Sequence, residues 1–176
     1  MPETQAHGAL IEIGGLGVLL LGPSGIGKSE CALELVTRGH RLVADDVVEL
    51  TRAPDGRLLG TTPDRVRHFM EIRGVGIVFV PDLFGEESVR SQVPIELVCR
   101  LVKWKKGVNY ERLGLDRPTE KLAGVALPTL TLPARPGASM ATVVEVAVRE
   151  HRLRGQGLVA AQRLDARLRR EMRRGE

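Results

Sequence analysis

Residues 22–29 read Gly22-Pro23-Ser24-Gly25-Ile26-Gly27-Lys28-Ser29, a complete G-x-x-x-x-G-K-[ST] pattern. Each position has a task at a polyphosphate. The glycines let the backbone curl so that its N–H groups point inward at phosphate oxygens. Lys28 carries positive charge to the outer phosphates, and the Ser29 hydroxyl can ligate magnesium. A second chemical feature is Asp45-Asp46, which closes the apolar stretch Leu42-Val43-Ala44. Phosphoryl transfer needs phosphates held, metal charge supplied, and an acceptor hydroxyl positioned and deprotonated. One carboxylate of the pair suits the metal or a bridging water, and the other suits a general base. Side by side they repel each other, a cost that a nearby cation offsets.

The flanking elements fit this chemistry. Residues 17–21 (GVLLL) read as a buried strand feeding the loop. Residues 29–38 read as a helix, with Ala32, Leu35 and Val36 at helical spacing and Gly39 as its stop. Such a helix aims the positive end of its dipole at a bound phosphate. Upstream, residues 9–13 and the Gly14-Gly15 turn complete a hairpin with 17–21. Downstream, a strand over 41–44 leads to the acidic pair. An extended run over 47–52 then returns through Pro54-Asp55-Gly56 into 57–60.

Further along, residues 75–80 (VGIVFV) are expected to form a buried strand and 81–84 a short helical turn. Residues 94–102 and 127–132 read as strands. Residues 141–148 carry β-branched side chains yet precede a helical tail, and are read as helix. Hairpins outnumber the crossovers of a doubly wound nucleotide domain. The expected fold is therefore α/β, a mixed, hairpin-rich sheet flanked by helices.

At 176 residues, one catalytic domain spanning 1–176 is expected. With 43% hydrophobic and 27% charged residues the chain reads as soluble and globular, and no stretch approaches membrane-spanning length. Aromatics at 3% leave little for base stacking, so no nucleic-acid role is expected. The formal charge of +4 is local, because residues 149–176 hold nine Arg against four acids and the rest is near neutral. Leu158, Ala161, Leu164, Leu168 and Met172 give this tail the spacing of a basic amphipathic helix over about 157–174. Its arginines form either a solvated face or a docking surface for an acidic partner or another subunit. Cys31 and Cys99 have no metal-like spacing and suit a reducing cytoplasm. The guanine-specificity pattern N/T-K-x-D is absent, against a GTPase.

Beyond these features, GPSGIGKSECALELVTRGHRLVADDVVEL followed by EIRGVGIVFVPDLFGEESVR resembles the catalytic domain of bacterial HPr kinase/phosphorylase. YERLG at 110–114 and PARPG at 133–137 add to the likeness, which is collinear from about His7 to residue 160. The resemblance implies a P-loop kinase domain of the phosphoenolpyruvate carboxykinase type. It also implies a cytoplasmic, hexameric enzyme that transfers phosphate from ATP, or from pyrophosphate, to a serine of the phosphocarrier HPr. The reverse reaction with inorganic phosphate would release pyrophosphate. Carried over to this sequence, Lys28 lies on the phosphates. Ser29 and Glu71 match Mg2+ ligands, with Asp45 beside them. Asp46 matches the general base, and His7 and Arg112 match the other catalytic positions. Residues 70–79 match the block used in both directions, and 133–138 the loop tied to dephosphorylation.

Read without the resemblance, His7 and Arg112 are ordinary exposed residues, and Glu71 and Arg73 would pair with each other. Family members carry a further N-terminal domain, which is expected to be absent here. The late loop reads Arg135-Pro136-Gly137-Ala138-Ser139, with Ala138 where the family has a cation, so weak phosphorolysis is expected. Glu86-Glu87-Ser88 adds negative charge where small residues are usual. Two rival readings remain: a kinase of the same fold with another acceptor, and a non-catalytic nucleotide sensor acting through the basic tail.

Overall fold

The computed structural model describes residues 4–174, so the outermost residues of the expected 1–176 domain lie outside the described residues. β1 (Thr4–Ile13) turns at Gly14-Gly15 into β2 (Leu16–Leu21), whose six residues are all buried. The 22–29 loop leads into α1 (Lys28–Thr37), followed by β3 (Arg41–Ala44), β4 (Val47–Arg52) and β5 (Leu58–Thr61). A hairpin of β6 (Phe69–Ile72) and β7 (Gly76–Phe79) continues into the short α2 (Val80–Phe84). Then come β8 (Gln92–Lys103), β9 (Thr119–Leu122), β10 (Val125–Ala134), α3 (Met140–Gly155) and α4 (Ala160–Arg174).

The main sheet is mixed and curls on itself. Its order is β2-β1-β4-β5-β8-β10-β9, with β3 also on β1, and β8 pairs back onto β2. β8 manages this by changing partners along its length. Residues 92–94 run antiparallel to β5, whereas Ile95 to Arg100 lie parallel to β2. Its fully buried Leu97, Val98, Cys99 and Leu101 match the apolar run expected of a central strand. One face of the sheet packs Ile11, Val18 and Leu20 against Leu35 of α1 and Val144 of α3. The other encloses Leu10, Leu19, Leu50, Leu58 and Val98. Arg38 and His40, at the end of α1, join Glu145 of α3 at 2.6 Å each.

Two expectations are corrected. Residues 75–80 are not a buried strand. β7 pairs only with β6 in a separate two-stranded hairpin, leaving Val75 75% and Ile77 68% exposed. An apolar run of this length cannot by itself separate a sheet-core strand from a hairpin arm, and only Val80, at the start of α2, is fully buried. The tail helix begins at Ala160 rather than 157 and none of its residues is buried. The helix expected over 141–148 forms as part of α3, with Ser139 as N-cap accepting from the Thr142 N–H. No helix among the described residues is long and apolar enough to cross a membrane.

Candidate functional site

The 22–29 loop and the acidic pair meet because both flank the same point on β1. Gly8 pairs with Leu21, the last residue before the loop. On the other side of β1, β3 and β4 form one nearly continuous antiparallel partner, with Leu10 opposite Ala44 and His7 opposite Val47. Asp45 and Asp46 occupy the interruption between them. Gly8 holds it with its N–H, which donates to the Asp46 carbonyl at 3.1 Å. A side chain at Gly8 would put its Cβ 2.4 Å from the Leu20 carbonyl oxygen, so only glycine allows β1 this close to β2.

Gly22 opens the loop at φ 147°, and a Cβ there would lie 2.5 Å from the Leu101 carbonyl oxygen of β8. The loop closes on Gly27, which starts α1 without any side-chain cap. The first-turn N–H groups of α1 are therefore free for an anion. The Lys28 ammonium donates to the carbonyls of Gly22 at 2.7 Å and Pro23 at 3.1 Å. Two of its three protons brace the loop and one is left for a ligand.

The two aspartates differ in environment. Ser29 Oγ donates to Asp45 Oδ1 at 2.8 Å, and Asp45 is half-buried. Burial pushes the Asp45 carboxyl above its ordinary value and the Asp46 charge adds to this, against the bond from Ser29. Asp46 is solvent-facing, with φ 69° in the left-handed region, and its Oδ1 lies 3.7 Å from His7 Nδ1. The inner acid is thus tied to the loop, and the outer one faces solvent at the cleft.

These residues line one open cleft of about 870 Å³. Its lining takes in His7, Gly22, Ser24, Gly25, Gly27, Lys28, Ser29, Asp45, Asp46 and Glu71. Glu71 enters from the β6–β7 hairpin, whose alternate residues Met70, Ile72 and Val78 anchor on the core while Phe69 packs on Phe79 at 4.9 Å. Pro23 and Ile26 belong to the loop but do not line the cleft. Among the described residues no group of three His, Cys, Asp or Glu side chains could hold a metal, so Asp45 and Glu71 are not gathered into an all-carboxylate cage.

Two expected participants, and the acidic 86–88 stretch, lie elsewhere. Arg112 sits on the long segment between β8 and β9, exposed, away from the cleft lining. The 133–138 loop also stands outside it, with Arg135 stacked 4.9 Å over Trp104. Residues Glu86 to Ser88 form a short turn that does not line the cleft. Arg65 and Phe69 also line it and were not singled out by sequence, whereas Arg73 and Ile77 line it from within the 70–79 block that the resemblance marked. Glu71 and Arg73 form no ion pair among the described residues, so the pairing expected of them is not found. The alternation of charged and apolar residues around the Gly74–Gly76 turn was the one signal that the hairpin has an outward face.

The profile of the HPr Serine kinase C-terminal domain matches residues 1–168 of the chain. The chain belongs to this family. It is 50% identical over 167 residues to the HPr kinase/phosphorylase of Caldanaerobacter subterraneus subsp. tengcongensis, covering 95% of this chain and 55% of that protein. The HPr kinase/phosphorylase of Exiguobacterium sibiricum is 48% identical over 167 residues, 95% of this chain and 54% of its own. The chain thus spans about half the length of the curated family relatives it matches. Among solved structures, the Hpr(Ser) kinase/phosphatase from Coxiella burnetii superposes with a TM-score of 0.80 at 36% identity, covering 88% of this chain and 93% of that one. The mixed α/β fold is a family property.

Proposed function

We propose that this chain carries the catalytic site of an ATP-dependent protein-serine kinase acting on HPr, built as a P-loop domain of the phosphoenolpyruvate carboxykinase type. The observation that carries the reading is the convergence of Lys28, Ser29, Asp45 and Asp46 on one cleft in a member of this family. Loop amides, the free first turn of α1 and Lys28 hold the β- and γ-phosphates of ATP. Asp46 takes the proton of the acceptor serine hydroxyl as its oxygen bonds to the γ-phosphorus. The bond from that phosphorus to the bridging oxygen breaks, and ADP leaves with the electron pair. His7 stands 3.7 Å from Asp46, and a catalytic role for it rests on the family resemblance.

Mg2+ fits the donors present. The Ser29 hydroxyl and Asp45 carboxylate are hard oxygens already 2.8 Å apart, and Glu71 shares their cleft. A small cation that keeps water and phosphate oxygens in its shell needs no complete protein cage. When bound it supplies charge to the phosphates. Arg112 is a candidate through the family resemblance alone.

In the reverse direction inorganic phosphate attacks the phosphoserine phosphorus. The bond to the serine oxygen breaks, Asp46 returns the proton, and pyrophosphate forms. Ala138 leaves the 133–138 loop short of a cation, which makes this the slower direction. Self-association, as a hexamer, belongs to the same reading. It is supported by the exposed Leu164, Leu168 and Met172 on α4, and light scattering measures it.

The test is intact-mass spectrometry of purified HPr after incubation with the chain, ATP and magnesium. One added phosphate is expected. An unchanged HPr mass with folded, ATP-binding protein rejects HPr as acceptor, and ATP turnover stimulated by no protein acceptor rejects the kinase.

A further inference from the structure

A second pocket, of about 390 Å³, adjoins the cleft, and Gln5, Glu49, Thr61 and Arg67 are among its lining. Pro63 and Arg65 line both spaces and form the ridge between them. Strand register relates the two. Gln5 of β1 stands opposite Glu49 of β4, and Glu49 stands opposite Thr61 of β5. The three therefore share one face of the sheet, in a single row, while Val48 and Leu50 are buried on the other. The next row on that face is His7 opposite Val47, and both of these line the cleft. Two residues along a strand cover roughly 6.6 Å. The pocket thus opens one side-chain row beyond His7, whose Nδ1 lies 3.7 Å from Asp46.

The floor of this pocket offers acceptors and few free donors. The Thr61 hydroxyl gives its proton to the Ser91 carbonyl at 2.8 Å, so lone pairs are what it has left. Glu49 is half-buried and has no ion pair or side-chain hydrogen bond among the described residues. Of the two arginines on the wall, Arg67 is committed to Asp64, and Arg65 forms no ion pair with Glu49. A partly desolvated carboxylate without a partner is costly. A guanidinium meets it with two parallel N–H bonds and keeps further N–H groups for neighbouring oxygens.

We propose that this pocket is a subsite for a basic side chain of the acceptor protein, with Glu49 as its specificity-determining residue. The incoming cation pairs with Glu49, and the Thr61 hydroxyl and the Gln5 amide oxygen accept its remaining N–H groups. A serine placed at Asp46 and a basic residue roughly 7 Å away, two residues along an extended segment or about one turn along a helix, span both sites. The inference rests on the reading of the cleft as a protein-serine kinase site, but not on HPr being the acceptor.

The first test needs no acceptor. Amide NMR spectra of the whole chain are titrated with N-acetylarginine amide and with its uncharged analogue N-acetylcitrulline amide. Saturable shifts at Gln5, Glu49 and Thr61 are expected with the arginine compound only, and are expected to vanish in Glu49→Gln. No shifts in wild type, equal shifts with citrulline, or shifts that persist in Glu49→Gln each overturn the proposal. The second test is the initial rate of HPr phosphorylation. Glu49→Gln should raise KM for HPr about tenfold or more, the scale of one hydrogen bond to a charged group. Its kcat, its KM for MgATP and its melting temperature should stay at wild-type values. An unchanged KM for HPr overturns the acceptor role of the pocket. If the arginine compound binds through Glu49 yet HPr gains no phosphate, the subsite stands and HPr falls as the acceptor.

Discussion

Ser29 Oγ donates to Asp45 Oδ1 at 2.8 Å, joining the first turn of α1 to the gap between β3 and β4. A hydroxyl has one proton and two lone pairs, so Ser29 can keep this bond and still offer a lone pair to a cation. Asp45 in return is a half-buried carboxylate beside a second one, an arrangement that favours its protonated form. A divalent ion between Ser29 and the phosphates would relieve that cost. On the reading proposed above, the pair would link magnesium binding to the stability of the site.

Asp45→Asn should separate those two effects. The isosteric amide oxygen still accepts from Ser29 but carries no charge against Asp46. Without ligand at neutral pH the variant should melt about 2 °C higher than wild type, a relief of somewhat under about 1 kcal/mol. The extra stabilisation that wild type gains from MgATP over ATP alone should shrink at least tenfold in apparent magnesium affinity. Thermal melts across a magnesium titration measure both. A lower melting point with unchanged magnesium response would show the carboxylate to be structural.

Asp46 needs a different substitution logic, because its φ of 69° penalises most side chains. Asn tolerates the left-handed region, whereas Ala pays about 1–2 kcal/mol there. Asp46→Asn should keep the wild-type melting temperature and lower the rate of serine phosphorylation by about 10²–10⁴, the worth of a positioned base. Asp46→Ala should lose the rate and also some stability. Initial rates by phosphoprotein mass, beside melting curves of both variants, test the pair. Equal rates in Asp46→Asn and wild type would remove Asp46 as base.

The parts of the site that were legible in sequence are those built by local backbone. The 22–29 loop, α1 and the break at Asp45-Asp46 each carry their own turn or cap chemistry, and their neighbours on β1 follow from hairpin order. What was not legible depends on long-range closure. Nothing in residues 92–103 announces that β8 leaves β5 to pair with β2, because both partners ask for the same apolar run. Residues 104–118 have no periodicity, so the distance of Arg112 from the cleft could not be read. The buried Glu12, bonded to Arg90 at 3.0 Å, also gave no sign, since its two arginine partners are remote in sequence.

The misread 75–80 segment yields a test of the hairpin. Ile77, 68% exposed, faces the cleft, whereas Val80 is fully buried at the start of α2. Ile77→Ala should change stability by no more than about 0.5 kcal/mol, as for other surface positions. Val80→Ala should cost about 2 kcal/mol from lost burial and the residual cavity, or about 4–8 °C in melting temperature. Similar losses at both positions would mean that 75–80 packs as an interior strand after all.

Glu145 fixes the junction of α1 and α3 and makes it pH-dependent. Its carboxylate accepts from Arg38 at 2.6 Å and lies 2.6 Å from His40 Nε2, while Arg38 also bonds Glu34, Ser139 and Thr142. The bond to His40 holds the Glu145 carboxyl below its ordinary value of 4.5, and Arg38 adds to this against burial. A depressed carboxyl binds fewer protons folded than unfolded, so stability rises with pH across that interval. The contribution is complete above about pH 4.5 and is lost as pH falls through the lower folded value. Glu145→Gln should therefore melt about 2–4 °C below wild type at pH 7, for a loss of about 1 kcal/mol in a partly exposed network. Because the variant has no such carboxyl to protonate, the gap between the two proteins should close on acidification below pH 4.5. Melting curves at pH 7, 5, 4 and 3 measure it, and a gap of constant size down to pH 3 would show that Glu145 acts through packing rather than charge.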